Sequence, residues 1–313
     1  MEIIKKNKDL NVFASDAIIA TLMTVQSSVY PWDISVEKRE GKIILDCGES
    51  HAYSKSTEDR VISYTTISEN ATTPPDEKDT GINGVQRLSW EATMSNHYFG
   101  QQALLPDNNY VLGDEPKFKL GANKIKPRKG YIYKAWDMGN GIKLCVRCQV
   151  DAYIKEEKST GDEEEKKTEE IRLVNLRAIN EFYETKRQMT WKQALENNRS
   201  VVTTEISIND STKLTKWTIE ALLSGVENIR MAYLARRKIN DNKKHDIIEV
   251  ARYTTKELKS LINLNYESCW GILKMIIQAL HEQEDGSYYL VKDPNKPVIR
   301  LYRKITLSPE ELE

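Results

Sequence analysis

The chain has almost no net charge: 46 lysines and arginines face 47 aspartates and glutamates in 313 residues. That excludes bulk attraction to nucleic acid as the organising force, so any contact with phosphates has to be local and shaped. Cysteine is scarce, with only Cys47, Cys145, Cys148 and Cys269. The one C-x-x-C, Cys145 and Cys148, sits in KLCVRCQVDAYI, which reads as a strand. Residues three apart on a strand face opposite ways, so the pair cannot chelate one ion. All four cysteines are expected as reduced thiols. Histidine is equally sparse: His51, His97, His245 and His281 are scattered, which argues against a histidine metal cluster. Glycine-rich phosphate loops, H-x-x-x-H and G-x-S-x-G are all missing. No apolar run approaches a membrane span, and MEIIKKNKDLN has no signal-peptide core, so a cytoplasmic protein without membrane contact is expected.

What the chain does hold is amphipathic aromatic surface. Fifteen Tyr and six Trp stand against four Phe, rings that suit sheet packing or stacking on bases. Charge is unevenly spread. Residues 117–134, KFKLGANKIKPRKGYIYK, are strongly basic with interleaved aromatics, and 155–170 form an acidic stretch read as a solvent-exposed loop.

Periodicity gives the element order. Residues 10–27 read as a helix capped by Asp9 or Asn11, with Val12, Ile18, Ile19 and Leu22 as its stripe. WDISVEKR and KIILDC alternate around Glu40-Gly41 as a hairpin, RVISYTTI reads as a further strand, and the Pro-Pro of NATTPPDEKDTGING breaks the chain. YIYKAWDM and IKLCVRCQVDAYI flank Gly139-Asn140-Gly141 as strands, and IRLVNLRAI resumes after the acidic run. A short helix at 189–198, VVTTEIS as a strand, a helix from Asp210 or Ser211 to about 224, and the strands NIRMAYLARRKI and HDIIEVARYT follow. Helices at 255–262 and 265–284 and a closing hairpin complete the order. With no βαβ rhythm and no internal repeat, the pattern predicts an α+β fold: mixed, mainly antiparallel sheets flanked by helices, in a single domain over 1–313.

The most informative stretch is VQRLSWEATMSNHYFGQQ, residues 85–102. Leu88, Ala92, Ser95 and Phe99 recur at helical steps, while Thr93, Asn96 and His97 gather on a second face. A hydroxyl, a carboxamide and an imidazole together can read a base edge or hold a phosphate, and they equally make an ordinary polar helix face.

The wording of this segment resembles the cap-binding domain of the d-type subunit of eukaryotic translation initiation factor three. NVFASDAIIATLM (11–23), SSVYPWD (27–33), KLTKWTIEALLSG (213–225), INLNYESCWGILK (262–274) and YYLVKDPNKPVIRLY (288–302) agree with that family in the same order. The resemblance implies a fold similar to RNA-decapping exonucleases, which hold divalent metal with carboxylates on neighbouring strands, in an E-x-D pair and an E-x-K element. Their counterparts are read here as Gln149-Val150-Asp151 and Glu205-Ile206-Ser207. Asp151 and Glu205 alone are too few acids to balance two ions, so binding without cleavage and no cofactor are expected.

By the same resemblance, cap contacts fall on Asp16, Val29 and Tyr30 and on Thr93, Asn96 and His97. A methylated guanine carries delocalised positive charge, which suits the Tyr30 ring and a carboxylate such as Asp16 at its N1 and N2 edge. One unbroken helix would hold Asp16 and Tyr30 about 20 Å apart, so either the helix ends between them or they meet different parts of the RNA. Without the resemblance, Asp16 is an internal polar residue, Val29 a core residue and Tyr30 a staple at the helix end. The family's RNA gate maps to Val61–Pro75. Lys124, Lys126, Arg128, Lys129, Lys134, Arg236, Arg237, Lys238, Lys243 and Lys244 are candidates for the RNA backbone. Expected partners are 5′-capped mRNA, the other subunits of the initiation-factor complex and, indirectly, the small ribosomal subunit. The alternatives are a decapping nuclease and a scaffold protein of the complex that never meets a cap.

Overall fold

A computed structural model describes residues 7, 9–26, 32–47, 81–105, 110, 130–158, 168–181, 189–293 and 298–305. The chain forms two compact units, each assembled from separate stretches: 1–69, 133–147 and 265–313 in the first, 70–132 and 148–264 in the second.

The first unit is built on a seven-stranded sheet in the order β11-β10-β2-β3-β1-β5-β4. Its strands are β1 (Val12–Ser15), β2 (Trp32–Arg39), β3 (Lys42–Cys47), β4 (Gly130–Asp137), β5 (Lys143–Val150), β10 (Gly286–Lys292) and β11 (Ile299–Arg303). In β2, Trp32, Ile34 and Val36 are buried and alternate with half-buried polar residues, the period of a strand with one covered face. The β2–β3 hairpin turns through Glu40 and Gly41 at φ 50° and 72°, the left-handed pair that matches strand twist.

The structure corrects the helix expected over 10–27. Val12–Ser15 is a central strand lying parallel to both β3 and β5, and helix α1 begins only at Asp16 and ends at Met23. A short strand buried on both faces is a continuous apolar run, which periodicity cannot separate from a helical stripe. The cap is Ser15, whose hydroxyl accepts from the Ile18 N–H at 3.4 Å, not Asp9 or Asn11. Asn11 instead bonds the Gly141 carbonyl and the Lys143 N–H. In the same unit a later helix, Tyr266–His281, buries Cys269, Leu273, Ile277 and Leu280 along one stripe and packs on α1. The buried Lys38 ammonium donates to the carbonyls of His281 and Gln283 at the end of that helix.

The second unit is a four-stranded sheet, β6 (Ala152–Lys158), β7 (Thr168–Asn180), β8 (Asn228–Lys238) and β9 (Asp241–Thr254). Helix α2 (Val85–Gln102) covers one face, with Phe99 against Val174, Leu176, Ala178, Ala232 and Leu234. The other face carries α3 (Trp191–Asn197), α4 (Arg199–Asn209), α5 (Ser211–Ser224) and α6 (Thr255–Leu261). There Trp191, Val202, Ile206, Leu214 and Trp217 meet Ile179, Ile229, Met231 and Tyr233. The helix Tyr266–His281 of the first unit is α7.

Two further expectations change. VVTTEIS lies within helix α4, because Val202 and Ile206, four apart, both face the core, and tertiary packing overrides the β-branched preference. The chain also contains a βαβ crossover after all: β7 and β8 are parallel, with α3 to α5 between them. Antiparallel pairs still dominate: β2–β3, β2–β10, β10–β11, β6–β7 and β8–β9. Part of the acidic stretch is strand: Glu156 pairs with Glu170 and Lys158 with Thr168, with Arg172 bonded to both Glu156 and Glu170, while 159–167 lie outside the described residues. No described helix is long and apolar enough to cross a membrane.

Candidate functional site

Helix α2 is stitched to the edge of β7 through Asn96 and Ser95. The β6–β7 ladder stops at Ala152 opposite Val174, so the β7 edge beyond it needs other partners. Asp151 accepts the Leu176 N–H at 3.0 Å, and the Asn96 carboxamide oxygen accepts the Ala178 N–H at 2.7 Å. The Asn180 side chain donates to the Ser95 hydroxyl at 3.2 Å. Side chains thus take over from a missing strand.

Thr93 is buried, while Asn96 and His97 are half-buried. His97 Nε2 lies 2.7 Å from Gln101 Nε2, and its ring is 5.9 Å from that of Tyr98, which is half exposed. The three α2 candidates therefore divide: Thr93 and Asn96 work inward, and His97 borders the outward surface with Gln101 and Tyr98.

Asp16 belongs to the first unit, in the first turn of α1. It is buried, and its Oδ1 accepts the Ala17 N–H at 2.8 Å. Because α1 ends at Met23, no unbroken helix joins Asp16 to Tyr30. Val29, Tyr30, the gate Val61–Pro75 and the basic residues Lys124, Lys126, Arg128 and Lys129 lie outside the described residues.

Behind α2's strand, on the opposite face of β7, lies a polar cluster that motif spacing alone misplaces. Glu205-Ile206-Ser207 is on α4, not on a strand neighbouring Asp151. The strand segment that does adjoin Gln149-Val150-Asp151 is Asn175-Leu176-Arg177 of β7. Gln149 donates to Asp151 Oδ1 at 2.8 Å. Arg177 bridges Asp151 Oδ2 at 2.6 Å and Glu220 of α5 at 2.9 Å, and its guanidinium stands 5.9 Å from the Trp217 ring centre. Burial pushes the Arg177 pKa down, but the charges and hydrogen bonds of Asp151 and Glu220 outweigh it and hold the guanidinium above its ordinary value. Asn175 is 1% exposed, and among the described residues neither polar atom of its side chain has a hydrogen-bond partner.

On the α2 side a second buried ion cluster corrects another expectation. Arg236 is 6% exposed and grips Glu91 of α2, Nε to Oε1 at 2.8 Å and Nη2 to Oε2, with further bonds to Asn83 and the Ile239 carbonyl. It is spent in the interior and cannot track an RNA backbone. Arg237 is exposed but holds Asp246 through Nε and Nη2 at 3.0 and 2.7 Å. His245 Nε2 stands 2.7 Å from Glu91. Burial pushes the Glu91 carboxyl up, yet its bonds to Arg236 and His245 and their charges keep it below the ordinary carboxylate value.

The arrangement is poorly equipped to hold metal. Among the described residues no three His, Cys, Asp or Glu side chains group as ligands. The signal that could have revealed the cluster is the alternation in VNLRAIN. Asn175 and Arg177 share one face of a strand whose other face carries Val174, Leu176 and Ala178 in the same stretch.

The family model described as eukaryotic translation initiation factor 3 subunit 7 matches residues 1–303. The chain is 35% identical over 301 residues to the D-2 subunit of eukaryotic translation initiation factor 3 from Drosophila mojavensis, covering 93% of the chain and 50% of that relative. It is 34% identical over 295 residues to the D subunit of the same factor from Nasonia vitripennis, with the same coverage. The chain therefore spans about half the length of the curated relatives it matches. Among solved structures, Rai1 of Scheffersomyces stipitis superposes with TM-score 0.52 at 15% identity, covering 95% of the chain and 69% of that structure. Rai1 of Candida albicans, in complex with pU5 and Mn2+, gives TM-score 0.51 at 15% identity, covering 95% and 70%. These two similarities establish the fold, the one expected from the resemblance to decapping enzymes.

Proposed function

Because the chain belongs to the family of eukaryotic translation initiation factor 3 subunit 7, we propose that it is a non-catalytic module that binds the 5′ cap of mRNA for translation initiation. It would work with the other subunits of that factor and, through them, with the small ribosomal subunit.

The observation that carries the non-catalytic half is Arg177. Where a metal-dependent nuclease of this fold needs clustered anions, this chain offers Gln149, Asp151, Asn175 and Arg177. Two of the four are amides and one is a fixed cation already neutralising Asp151 and Glu220. A divalent ion pair does not fit that donor set, since hard cations need several anionic oxygens and the guanidinium repels them. Millimolar manganese is accordingly expected to leave the thermal midpoint unchanged. A clear upward shift would show that the chain takes the ion.

The recognition half rests on family membership and on the outward part of α2. His97, with Tyr98 and Gln101 beside it, offers an imidazole, a ring face and a carboxamide to a capped end. Asn96 and Thr93 fix the helix that presents them. Asp16, Val29 and Tyr30 remain the set for the guanine ring, Asp16 as edge acceptor and Tyr30 as stacking face.

Crosslinking to cap-labelled RNA, competed by cap analogue, tests the reading. His97→Ala is expected to lower crosslinking with little change in stability. Asn96→Ala is expected to lower crosslinking and also to destabilise by about 1–3 kcal/mol, because it strands the buried Ala178 N–H. Full crosslinking in both variants would contradict the role given to α2.

A further inference from the structure

The chain contains two Asn-Gly dipeptides, Asn83-Gly84 and Asn140-Gly141. Such a pair is open to attack by the glycine main-chain nitrogen on the preceding side-chain amide, because glycine has no Cβ to block the approach. The two sites differ in every group that this reaction uses.

Asn140-Gly141 forms the tip of the β4–β5 hairpin. The Ile142 N–H donates to the Gly139 carbonyl at 3.0 Å, closing a turn whose central residues, Asn140 and Gly141, have φ of 55° and 74°. Both are exposed, and a Cβ placed on Gly141 would meet nothing within 4 Å. Among the described residues the Asn140 carboxamide has no hydrogen-bond partner, nor does the Gly141 N–H. The turn is fastened on either side of this pair: the Gly139 N–H donates to Asp137 Oδ1 at 2.8 Å, and the Gly141 carbonyl accepts from Asn11 Nδ2 at 2.7 Å. Electrophile and nucleophile are both uncommitted, with room to meet.

Asn83-Gly84 is locked. Arg236 Nη1 donates to Asn83 Oδ1 at 2.8 Å, and Arg236 is itself held by Glu91. The Gly84 N–H is taken by the Gly81 carbonyl at 3.1 Å. Gly84 is buried and caps α2, its carbonyl accepting the Leu88 N–H at 3.0 Å. Attack here would break the Arg236 and Gly81 bonds and disturb the helix entry.

We infer that Asn140 is a site of selective, enzyme-free conversion to aspartate and isoaspartate. The Gly141 nitrogen gives its proton to solvent and bonds to Asn140 Cγ. The Cγ–Nδ2 bond breaks and ammonia leaves, closing a succinimide ring, which water opens at either carbonyl. The net change is amide plus water to carboxylic acid plus ammonia. Opening at the former main-chain carbonyl adds a main-chain carbon next to Gly141, whose carbonyl ties Asn11 at the entry to β1.

The test incubates the folded chain at mildly alkaline pH and follows the tryptic peptides 135–143 and 79–87, each holding one of the two sites, by mass. Enzymatic methyl-esterification of the free α-carboxylate identifies isoaspartate. Asn140 is expected to convert at least about tenfold faster than Asn83, whose amide must first leave a charge-assisted bond. In guanidinium chloride, where neither site has its folded partners, the two rates are expected to converge. Equal rates in the folded chain, faster loss of Asn83, or an Asn140 that persists while the unfolded chain converts would overturn the inference. So would a tenfold gap that survives unfolding, which would trace the selectivity to local sequence rather than to the turn.

Discussion

Arg177→Ala is expected to destabilise the second unit by about 3–5 kcal/mol, the cost of leaving buried charge without its counter-ion. The substitution leaves Asp151 and Glu220 in the interior, removes the bond from Nη1 to the Leu176 carbonyl and vacates the space beside Trp217. The urea midpoint should fall with the m-value unchanged. Charge rather than packing would be confirmed by partial recovery when Asp151→Asn and Glu220→Gln accompany Arg177→Met. Gln149→Glu, Asn175→Glu and Arg177→Lys together are expected to give a chain whose thermal midpoint rises with manganese, whereas the unmodified chain's does not. If the triple variant folds yet ignores manganese, Arg177 is not what excludes the ion.

Glu91→Ala should cost a comparable amount, about 3–5 kcal/mol, because it strands Arg236 in the interior and cuts α2 from the β8–β9 hairpin. The wild-type pair also sets a pH dependence. In the folded chain the Glu91 carboxyl titrates below the ordinary glutamate value. Its contribution is therefore complete above that ordinary value and disappears as pH falls through the lowered folded pKa, where both states are protonated. Melting curves should show the wild type losing stability through this acid window more steeply than Glu91→Gln. Parallel curves would remove Glu91 from the account. Since Glu91 and the cap candidates share α2, Glu91→Ala should also reduce cap crosslinking without touching the RNA.

The fold is legible in the sequence wherever one face of an element is wet. The β2–β3 hairpin, α2, β9 and α7 can be read from alternation or helical spacing. Legibility fails at Val12–Ser15, where burial on both faces erases the period, and at VVTTEIS, where β-branched residues sit in a helix because Val202 and Ile206 pack inward. Spacing finds the α2 polar face, but it cannot say that Asn96 turns toward Ala178 while His97 faces out. That depends on where β6 stops. The Arg177 cluster escapes sequence reasoning for a related reason. Asp151, Asn175 and Glu220 come from the β5–β6 junction, β7 and α5, and only the β6–β7 register brings Asn175-Leu176-Arg177, rather than Glu205-Ile206-Ser207, beside Asp151. Arg236 looks like one of a basic run because a sequence does not show that Glu91, far upstream, neutralises it.

The central claim is recognition of a capped end by a fold whose metal chemistry has been replaced by an internal cation. Its most direct test is to incubate the chain with cap-labelled RNA and manganese, following crosslinking and label release in the same reaction. The expected result is a crosslink to full-length RNA that cap analogue competes away, with all label still on the RNA. Release of labelled cap or nucleotides, or a crosslink indifferent to cap analogue, would contradict it.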